Sequence, residues 1–285
     1  KASPRARRSF FWGSSEGAGR KHASIAAMDY LERIKNEASR LPVRMYRPQK
    51  RRFQSFLMRE LAGLGYASGV VATGTGANSC ENVVSACEKP KLILMAHYDT
   101  PGIMPQWIHA LARLLGHTPQ LLVAIALIAV INAARELPPG LAWIHTLLMA
   151  SLFLIAVPNP RNSNDNTSGT LCLLDIARKA ATDPELRNSI QFVFTDKEEL
   201  GLLGAYGLKK RWEDEGRDLS GAAIVSIDCV GRGHIPLVIR NGRSELADGL
   251  LASLAARDPA ARSVDMGFIP LSDSYAFRKT GAVNL

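Results

Sequence analysis

Cysteine is scarce in this sequence of 285 residues. The four cysteines form no C-x-x-C pair, and they are too few for the disulfide framework of a small secreted domain. We therefore expect reduced thiols in this chain. The cysteines are Cys80, Cys87, Cys172 and Cys229.

A long apolar run is missing from residues 1–27. This segment is basic and rich in Ser, Gly and Ala, and its one bulky apolar run, Phe10-Phe11-Trp12, is too short for a secretory signal. We interpret residues 1–27 as a disordered basic lead, after which a helical pattern begins at Met28. Because the first residue is Lys, we expect either a fragment or a sequence that begins upstream of the natural start.

The formal net charge of +9 is unevenly spread. Much of the excess of Lys and Arg lies in the first fifth of the chain, so the charge is local, and we expect no nucleic-acid partner. A chain of this length with 47 % hydrophobic residues can bury a substantial core. One main domain over residues 28–285, interrupted by an insertion, fits better than several small domains.

Charged side chains are missing from two windows in the middle of the chain. Residues 114–134 and 137–160 contain no Asp, Glu, Lys or Arg, and Arg135-Glu136 separates them. At about 1.5 Å per residue, a helix over either window would reach about 30 Å, the hydrocarbon thickness of a bilayer. We therefore predict an apolar helical hairpin over residues 107–160 that crosses a membrane and contacts lipid.

Two crossings would return the chain to its starting side of the membrane. Arg113 and Arg161 would flank the hairpin there, so the positive-inside rule favours a membrane location with a cytoplasmic main domain. Arg135 in the turn weakens this inference. The alternative is a buried hairpin or an amphipathic lid, because Asn132 and His145 interrupt the apolar windows.

Apolar runs and helical spacing alternate along the rest of the chain. This alternation predicts an α/β fold with a mainly parallel, mixed central sheet and helices on both faces. Such sheets place their sites beyond the carboxyl ends of the strands. The predicted strands cover residues 70–72, 91–96, 190–195, 222–227 and 236–240, the predicted helices cover 28–40, 49–64, 168–181, 200–212, 244–256 and 272–279, and residues 77–88 are predicted to be a polar loop.

Four short acidic motifs directly follow apolar stretches or lie among turn residues. Each can place a carboxylate or an imidazole at the end of a buried element. A hydrolytic zinc centre needs such nitrogen and oxygen ligands, an open position for water and a base for its proton. The motifs are Ala96-His97-Tyr98-Asp99-Thr100, Asn164-Asp165-Asn166-Thr167-Ser168-Gly169, Asp196-Lys197-Glu198-Glu199-Leu200-Gly201-Leu202 and Ser226-Ile227-Asp228-Cys229-Val230-Gly231.

The first two motifs offer a ring nitrogen and two carboxylates. His97 presents a neutral imidazole at a strand end, and Asp99, two residues on, is placed to orient that ring through its second nitrogen. Asp165 projects from a turn rich in Asn and Gly, where its side chain is free to bridge two ions.

The last two motifs offer three further carboxylates. Glu198 and Glu199 open a predicted helix, where successive side chains diverge by about 100°, so that one can bind metal while the other faces the water. Asp228 ends another apolar strand and is placed to complete the set around the ion held by His97. Two cations would offset the repulsion among so many acids.

These motifs, together with Ser272-Asp273-Ser274-Tyr275-Ala276-Phe277, resemble the zinc aminopeptidases of metallopeptidase family twenty-eight. The family includes aminopeptidase Y and, more distantly, glutaminyl cyclase. The resemblance covers nearly everything from Lys91 to the end of the chain. Each motif is weak alone, but the combination in this order is highly specific.

The resemblance implies a zinc-exopeptidase-like fold of the phosphorylase type and a cocatalytic pair of zinc ions. It implies that Asp165 bridges the two ions, that His97 and Asp228 hold one ion and that Glu199 binds the other. In this scheme Glu198 is the general base, and Asp99 orients His97. The expected activity is hydrolysis of the amino-terminal bond of peptides through a metal-activated water.

Two departures from the family pattern affect these expectations. The family's last metal ligand is a histidine in a later motif, and this sequence stops at Leu285 before any such motif. We therefore expect a C-terminally truncated chain that holds the first ion better than the second and has little activity. The long apolar insertion between His97 and Asp165 suggests a membrane-anchored branch of the family.

Several residues near the motifs keep an ordinary interpretation. Asp175, Asp196 and Asp273 are expected to be caps or surface residues, although Asp273 lies near the expected substrate cleft. Cys229 follows an expected ligand, but strand alternation turns it to the opposite face, so we expect a small buried hydrophobe.

The sequence thus predicts a membrane-anchored metallo-aminopeptidase with peptide substrates. Two alternatives remain. Within the same fold, a glutaminyl cyclase-like acyltransferase typically needs one zinc ion. In a different class, a non-catalytic membrane-anchored module would keep the fold for partner binding.

Overall fold

The centre of the protein is an eight-stranded mixed sheet with the strand order β1-β2-β4-β3-β5-β8-β6-β7. The structure is a computed structural model that describes residues 19–108, 120–233 and 236–285. The strands are β1 (Ser68–Thr73), β2 (Cys80–Ser85), β3 (Leu92–His97), β4 (Ile190–Thr195), β5 (Ala223–Ser226), β6 (Leu237–Arg240), β7 (Arg262–Asp265) and β8 (Val283–Asn284).

Helices lie between the strands and at the start of the described chain. The α-helices are α1 (Gly19–Ser39), α2 (Arg47–Gly63), α3 (Gln120–Arg135), α4 (Ala142–Leu152), α5 (Gly169–Ala180), α6 (Pro184–Ser189), α7 (Leu203–Asp214) and α8 (Glu245–Ala255). Short 3-10 turns cover Gly76–Asn78, Pro139–Leu141, Phe153–Ala156 and Asp273–Thr280, and a π-turn covers Ser163–Ser168.

The middle of the sheet is parallel. Strand β3 pairs in parallel with both β4 and β5, and β5 pairs in parallel with β8. Antiparallel pairs lie nearer the edges, at β1–β2, β2–β4 and β6–β8. The carboxyl ends of β3, β4 and β5 therefore point to one edge, where His97 lies opposite Thr195.

Both faces of the sheet are covered. Along β3, Leu94 and Ala96 pack into one buried cluster with helices α1, α2, α5 and α8, while Ile93 and Met95 pack into a second cluster with α7 and the turn Asp273–Thr280. Successive side chains of a strand point to opposite faces, so a continuous apolar run is what two covered faces require. The predicted α/β class, with a mainly parallel mixed sheet and helices on both faces, is confirmed.

Some local predictions were wrong. Residues 77–88 were expected to form a polar loop, but β2 lies there, because its polar side chains have hydrogen-bond partners in helix α7 and in strand β4. Asn82 donates to the Gly204 carbonyl at 3.1 Å, and the Ser85 hydroxyl accepts the Phe192 amide at 2.8 Å. Residues 272–279 were predicted as a helix and form the 3-10 turn Asp273–Thr280, while β7, β8 and α6 were not predicted.

At the start of the described chain, α1 begins at Gly19 rather than at Met28. Residues 1–18 of the predicted disordered lead lie outside the described residues.

The predicted membrane location is wrong. Helices α3 and α4 have 16 and 11 residues, which gives lengths of about 24 Å and 16 Å, short of the roughly 30 Å of hydrocarbon. In the part of the chain that the structure describes, no helix combines the length and apolarity needed to cross a membrane. Residues 109–119 of the predicted 107–160 hairpin lie outside that part. The inferred cytoplasmic side depended on the hairpin, and the described residues do not support lipid as a partner.

The two ends of the 107–160 segment are joined beside the sheet. Gly102 and Pro158 form an antiparallel bridge, and the Ile103 amide donates to the Val157 carbonyl at 2.8 Å. A Cβ on Gly102 would lie 1.7 Å from the Ile155 carbonyl oxygen, so this approach requires glycine. The segment therefore leaves and rejoins the domain at nearly one point.

A buried ion pair attaches α2 to the end of β4. Lys50 Nζ lies 2.7 Å from Asp196 Oδ1, and the two side chains are 8 % and 3 % exposed. Asp196 also accepts the Glu81 amide at 3.1 Å, and its own amide donates to Asn82 Oδ1 at 2.9 Å. The expectation of a cap or surface residue at Asp196 was therefore wrong, because this carboxylate connects α2, β2 and β4.

Substitution Lys50→Met should lower the free energy of unfolding by about 3–5 kcal/mol, because it leaves the buried Asp196 carboxylate uncompensated. The double variant Lys50→Met/Asp196→Asn should recover part of that loss. The matched control is Lys210→Met in the exposed pair with Asp214, which should cost less than about 1 kcal/mol. Chemical denaturation measures all three, and equal losses for Lys50→Met and Lys210→Met would contradict the prediction.

Candidate metal centre

The centre is built around a buried histidine at the carboxyl end of β3. The His97 side chain is 1 % exposed, and the residue lies opposite Thr195 of the neighbouring strand β4. Loops that follow β3, β4 and β5, together with the turn Ser163–Ser168, meet at this edge of the sheet. The topology thus brings all four acidic motifs to one place.

Carboxylates surround both ring nitrogens of His97. Nε2 lies 3.2 Å from Asp165 Oδ1, 3.5 Å from Asp228 Oδ1 and 3.9 Å from Glu198 Oε2. Nδ1 lies 3.4 Å from Asp99 Oδ1. The Asp165 side chain is 46 % exposed, so the cluster opens to solvent on that side.

Asp99 connects the imidazole to the loop after β4. Its Oδ1 accepts the Glu198 amide at 3.1 Å, and its Oδ2 accepts the Glu199 amide at 3.3 Å. Because the same carboxylate faces His97 Nδ1, it sets the position of both glutamates relative to the ring. This arrangement fits the orienting role expected for Asp99.

Asn166 connects the Asp165 turn to the loop that carries Asp228. Its side-chain amide donates to the Ile227 carbonyl at 2.9 Å, and its Oδ1 accepts the amides of Gly169 at 2.9 Å and Cys229 at 3.3 Å. A Cβ on Gly169 would lie 2.3 Å from the Ile227 carbonyl oxygen, which explains the glycine at this helix start. Asp165 and Asp228 are therefore held as one unit.

Glu198 and Glu199 lie in a tight turn before helix α7. The helix begins at Leu203, not at Leu200 as predicted, and Lys197 and Leu202 both have positive φ, of 55° and 61°. The two carboxylates diverge because of this turn rather than because of helical spacing. Gly204 lets the turn pack closely, since a Cβ there would lie 2.1 Å from the Asp196 carbonyl oxygen.

The donor set fits a divalent cation. Both ring nitrogens of His97, Glu199 Oε1 and Asp228 Oδ1 are buried without a hydrogen-bond partner in the described structure, which is costly unless another group satisfies them. Two three-residue groups have ligand atoms within 4.8 Å of one another: His97 with Asp165 and Asp228, and His97 with Glu198 and Glu199. One imidazole with several carboxylates is a ligand set that zinc accepts.

The grouping of the acids differs in one respect from the expected scheme. That scheme gave Glu199 to an ion shared with Asp165, whereas the structure groups Glu199 with His97 and Glu198. The group of His97, Asp165 and Asp228 contains the residues expected around the first ion.

The pKa values of these groups follow from burial and mutual repulsion. Burial raises the pKa of Glu198 to about 9 and that of Glu199 to about 8, with neighbouring acids adding to both shifts and His97 opposing them. Burial opposes a charged His97, but Asp165, Asp228 and Asp99 raise the pKa of this imidazole well above its ordinary value. The cluster carries more acid than one imidazole can balance.

Asp273 is closer to the centre than the sequence suggested. This residue was expected to be a cap or a surface residue, but it is 1 % exposed, accepts the Thr195 hydroxyl and leaves Oδ1 without a hydrogen-bond partner. Burial raises the pKa of Asp273 to about 7, and its charge raises the pKa of Glu198. Its position after Ser272 in the Ser-Asp-Ser motif was the available signal.

The remaining expectations have mixed outcomes. Cys229 is exposed rather than buried, because a positive φ of 56° turns the chain directly after Asp228. Asp175 is a partly buried residue of α5 that pairs with Arg178 and Lys179, so it lies outside the site as expected.

Sequence reasoning missed Arg44, which counted only as part of the basic excess but is fully buried beside two of the site's loops.

The fold is similar to that of several solved structures. The Legionella pneumophila LapA aminopeptidase has a TM-score of 0.57 and 13 % identity, over 96 % of this chain and 66 % of that chain. A Bacteroides thetaiotaomicron glutaminyl cyclase has a TM-score of 0.56 and 16 % identity, over 91 % of this chain and 83 % of that chain. A Zn-dependent exopeptidase from Parabacteroides distasonis has a TM-score of 0.54 and 16 % identity, over 92 % of this chain and 82 % of that chain. At these identities the similarity shows the fold alone.

Sequence comparison adds one curated relative and one family. The chain is 36 % identical over 59 residues to the probable lipoprotein aminopeptidase LpqL of Mycobacterium tuberculosis, which covers 21 % of this chain and 12 % of that protein. The matched stretch is thus a small part of the relative. Residues 155–284, which contain Asp165, Glu198, Glu199 and Asp228 but not His97, match the model of Peptidase family M28.

Proposed function

We propose that this chain is a zinc-dependent exopeptidase, an aminopeptidase that releases the amino-terminal residue of a peptide. The observation that carries the proposal is the buried His97, whose ring nitrogens face the carboxylates of three separate loops without a hydrogen-bond partner. The match of residues 155–284 to a peptidase family supports hydrolysis of peptide bonds.

Zinc would be held by residues from all four motifs. In this proposal His97, Asp165 and Asp228 would hold one ion, and Glu199 would contribute to a second. Bound zinc would make a water nucleophilic near neutral pH and polarise the carbonyl of the bond to be cut. Asp99 lies 3.4 Å from His97 Nδ1, where it would orient the ring, and it accepts the backbone amide of Glu199.

Glu198 is the proposed general base. Its carboxylate points into the cluster and is 13 % exposed, so it can reach a water there without being fully solvated. It would take the proton of the attacking water and give it to the leaving amine, for which a carboxyl with a raised pKa is suited. Asp273, buried next to it, would keep Glu198 basic by repulsion.

The surplus of acid supports a substrate with a free amino terminus. Six carboxyl groups lie at or beside this edge of the sheet, and when all six are ionised, two divalent ions leave net negative charge there. A protonated α-amine is the positively charged group that every peptide carries at one end, so electrostatic complementarity favours that end. The six are Asp99, Asp165, Glu198, Glu199, Asp228 and Asp273.

A second candidate function is glutaminyl cyclisation. Among the described residues, His97, Asp165 and Asp228 make one three-ligand group without Glu198 or Glu199, which suits a single ion. An acid–base residue such as Glu198 would then serve the attack of an α-amine on its own side-chain amide. A third candidate, a binding module without catalysis, would hold zinc but turn nothing over.

Substitution Glu198→Gln should lower kcat on amino-acid amides by about 10²- to 10⁴-fold, because the amide cannot accept the proton of the water. Zinc content by metal analysis should remain at the wild-type level, since the other ligands are unchanged. The control Glu213→Gln, at an exposed position of α7, should leave kcat unchanged. Full activity of Glu198→Gln would overturn the assigned role.

Product analysis separates the candidate functions. With zinc added, we expect free amino-terminal residues from dipeptides such as Leu-Ala, and no pyroglutamyl product from glutamine-initiated peptides. A chelator should abolish the release. Pyroglutamyl formation alone would favour the cyclase, and no product from a zinc-loaded chain would favour the binding module.

The metal-free chain should lose stability as pH rises from about 5 to about 9. Glu198 and Glu199 have folded pKa values raised to about 9 and 8, so folding favours their protonated forms and is penalised as they ionise above their unfolded values. His97 acts in the same direction, since its raised pKa contributes stability below about 6.5 that is lost at higher pH. Thermal unfolding should show Tm falling by several degrees over this range.

Zinc should reverse this trend, because cations offset the repulsion among the acids. At pH 8 a saturating concentration should raise Tm above that of the metal-free chain at pH 5. A metal-free Tm that rises between pH 5 and pH 9 would contradict the assignment of these buried acids.

A further inference from the structure

Arg44 is the largest fully buried side chain of the described protein. It lies between α1 and α2, before the part of the chain that matches the peptidase family. Arginine is almost never fully buried unless its charge is compensated. No salt bridge joins Arg44 to a carboxylate in the described ranges, so this burial needs another explanation.

The hydrogen bonds of Arg44 join two loops of the metal centre. On one side, Nε donates to the Tyr98 carbonyl, and the Arg44 amide donates to the Thr100 hydroxyl at 2.9 Å. On the other side, Nη2 donates to the Thr167 hydroxyl at 2.8 Å. The first loop, residues 98–100, follows His97 and contains Asp99, and the second, Ser163–Ser168, contains Asp165.

These two loops have no short covalent connection. They stand at opposite ends of the long insertion, whose ends meet at the Gly102–Pro158 bridge. The bridge offsets the entropic cost of closing this long loop, and the side chain of Arg44 adds contacts next to His97 and Asp165 themselves. A planar guanidinium with several donors in fixed directions provides such a contact, which a flexible ammonium would not.

The guanidinium is itself rigidly held. Its central carbon lies 4.3 Å from the centre of the Phe53 ring, and Phe53 stacks against Tyr98 with ring centres 6.3 Å apart. Nη1 donates to the Leu41 carbonyl at 3.0 Å. Helix α2 thus fixes the direction in which Arg44 reaches the two loops.

Arg44 also places a positive charge behind the acids. Burial lowers its pKa to about 10, while Asp99 and Asp165 favour its charged form, so the group stays charged at neutral pH. This charge offsets part of the repulsion between the two loops when no cation is bound.

We propose that Arg44 is a positioning residue that holds the loops of His97 and Asp165 at ligand distance and thereby sets the affinity of the site for zinc. The part of this inference that concerns zinc rests on the proposed function. The part that concerns how rigidly the two loops are held does not rest on it.

The first test is hydrogen exchange of the metal-free 285-residue chain. Arg44→Met keeps an apolar side chain of similar length on Phe53 but removes the donors and the charge. Amide exchange should become faster in residues 98–100 and 163–168 together, and stay unchanged in β4. The matched control is Leu61→Ala, a cavity in the core of α2, which should lower Tm without faster exchange confined to the two loops.

The second test is zinc affinity, measured by competition with a chromophoric chelator. Arg44→Met should weaken binding by about 10- to 100-fold, the usual effect of losing a residue that orients metal ligands. Arg44→Lys should recover part of the loss, because it keeps the charge but not the directed donors. Leu61→Ala should bind zinc as the wild type does. If Arg44 had a merely structural role, Arg44→Met and Leu61→Ala would have the same effect on zinc affinity.

If Arg44→Met does not fold, the same two measurements on Arg44→Lys and Thr167→Val test the inference. Thr167→Val removes the hydroxyl that accepts from Arg44 Nη2 and donates to Asn162 Oδ1 at 3.2 Å, and it should speed exchange in residues 163–168 and weaken zinc binding several-fold. Wild-type exchange and affinity in these two variants would overturn the inference, as would equal zinc loss in Leu61→Ala. A wild-type chain that binds no zinc would overturn the proposed function, while hydrogen exchange would still decide the role of Arg44.

Discussion

The structure depends on gathering negative charge around one buried imidazole. His97 lies at the carboxyl end of a central strand, and Asp99, Asp165 and Asp228 approach its ring nitrogens to within 3.5 Å. Such a cluster is unfavourable by itself, since closely spaced carboxylates repel one another. Backbone amides and fixed cations offset part of this repulsion, and the proposed zinc would offset more of it. Most features near the site supply one of these.

The compensation is distributed over separate elements. Backbone amides of the turn at Glu198 satisfy Asp99, and the Lys50 ammonium neutralises Asp196 just before that turn. The guanidinium of Arg44 lies between the loops of His97 and Asp165. Two of the three devices originate in the first quarter of the described chain, outside the segment that matches the peptidase family. The matched segment therefore contains most of the proposed ligands, and Arg44, the proposed positioning residue, lies before it.

The apolar segment between these loops shows why local composition misleads. Two uncharged windows were long enough to suggest membrane crossings, yet the described helices α3 and α4 are divided by turns at Pro139–Leu141 and Phe153–Ala156. The opposite error occurred at β2, where polar residues suggested a loop. Asn82 and Ser85 can lie inside a sheet because distant residues are their hydrogen-bond partners: Asn82 donates to the Gly204 carbonyl, and Ser85 accepts the Phe192 amide. The composition of a segment indicates the free energy of moving its side chains out of water. The length of a helix and the hydrogen-bond partners of a buried polar side chain depend on the tertiary structure.

The sequence by itself determined the class of the fold, the strands that end in acidic motifs and the residues brought together around His97. Those features depend on periodicity and on strand ends, which are local and therefore visible in the chain. Only the tertiary structure decided that Glu199 groups with Glu198 and His97, that Asp273 is buried beside Glu198 and that Arg44 connects two loops. These depend on which distant groups approach one another, and the energy of a buried charge is set by those neighbours rather than by the residues adjacent to it in sequence.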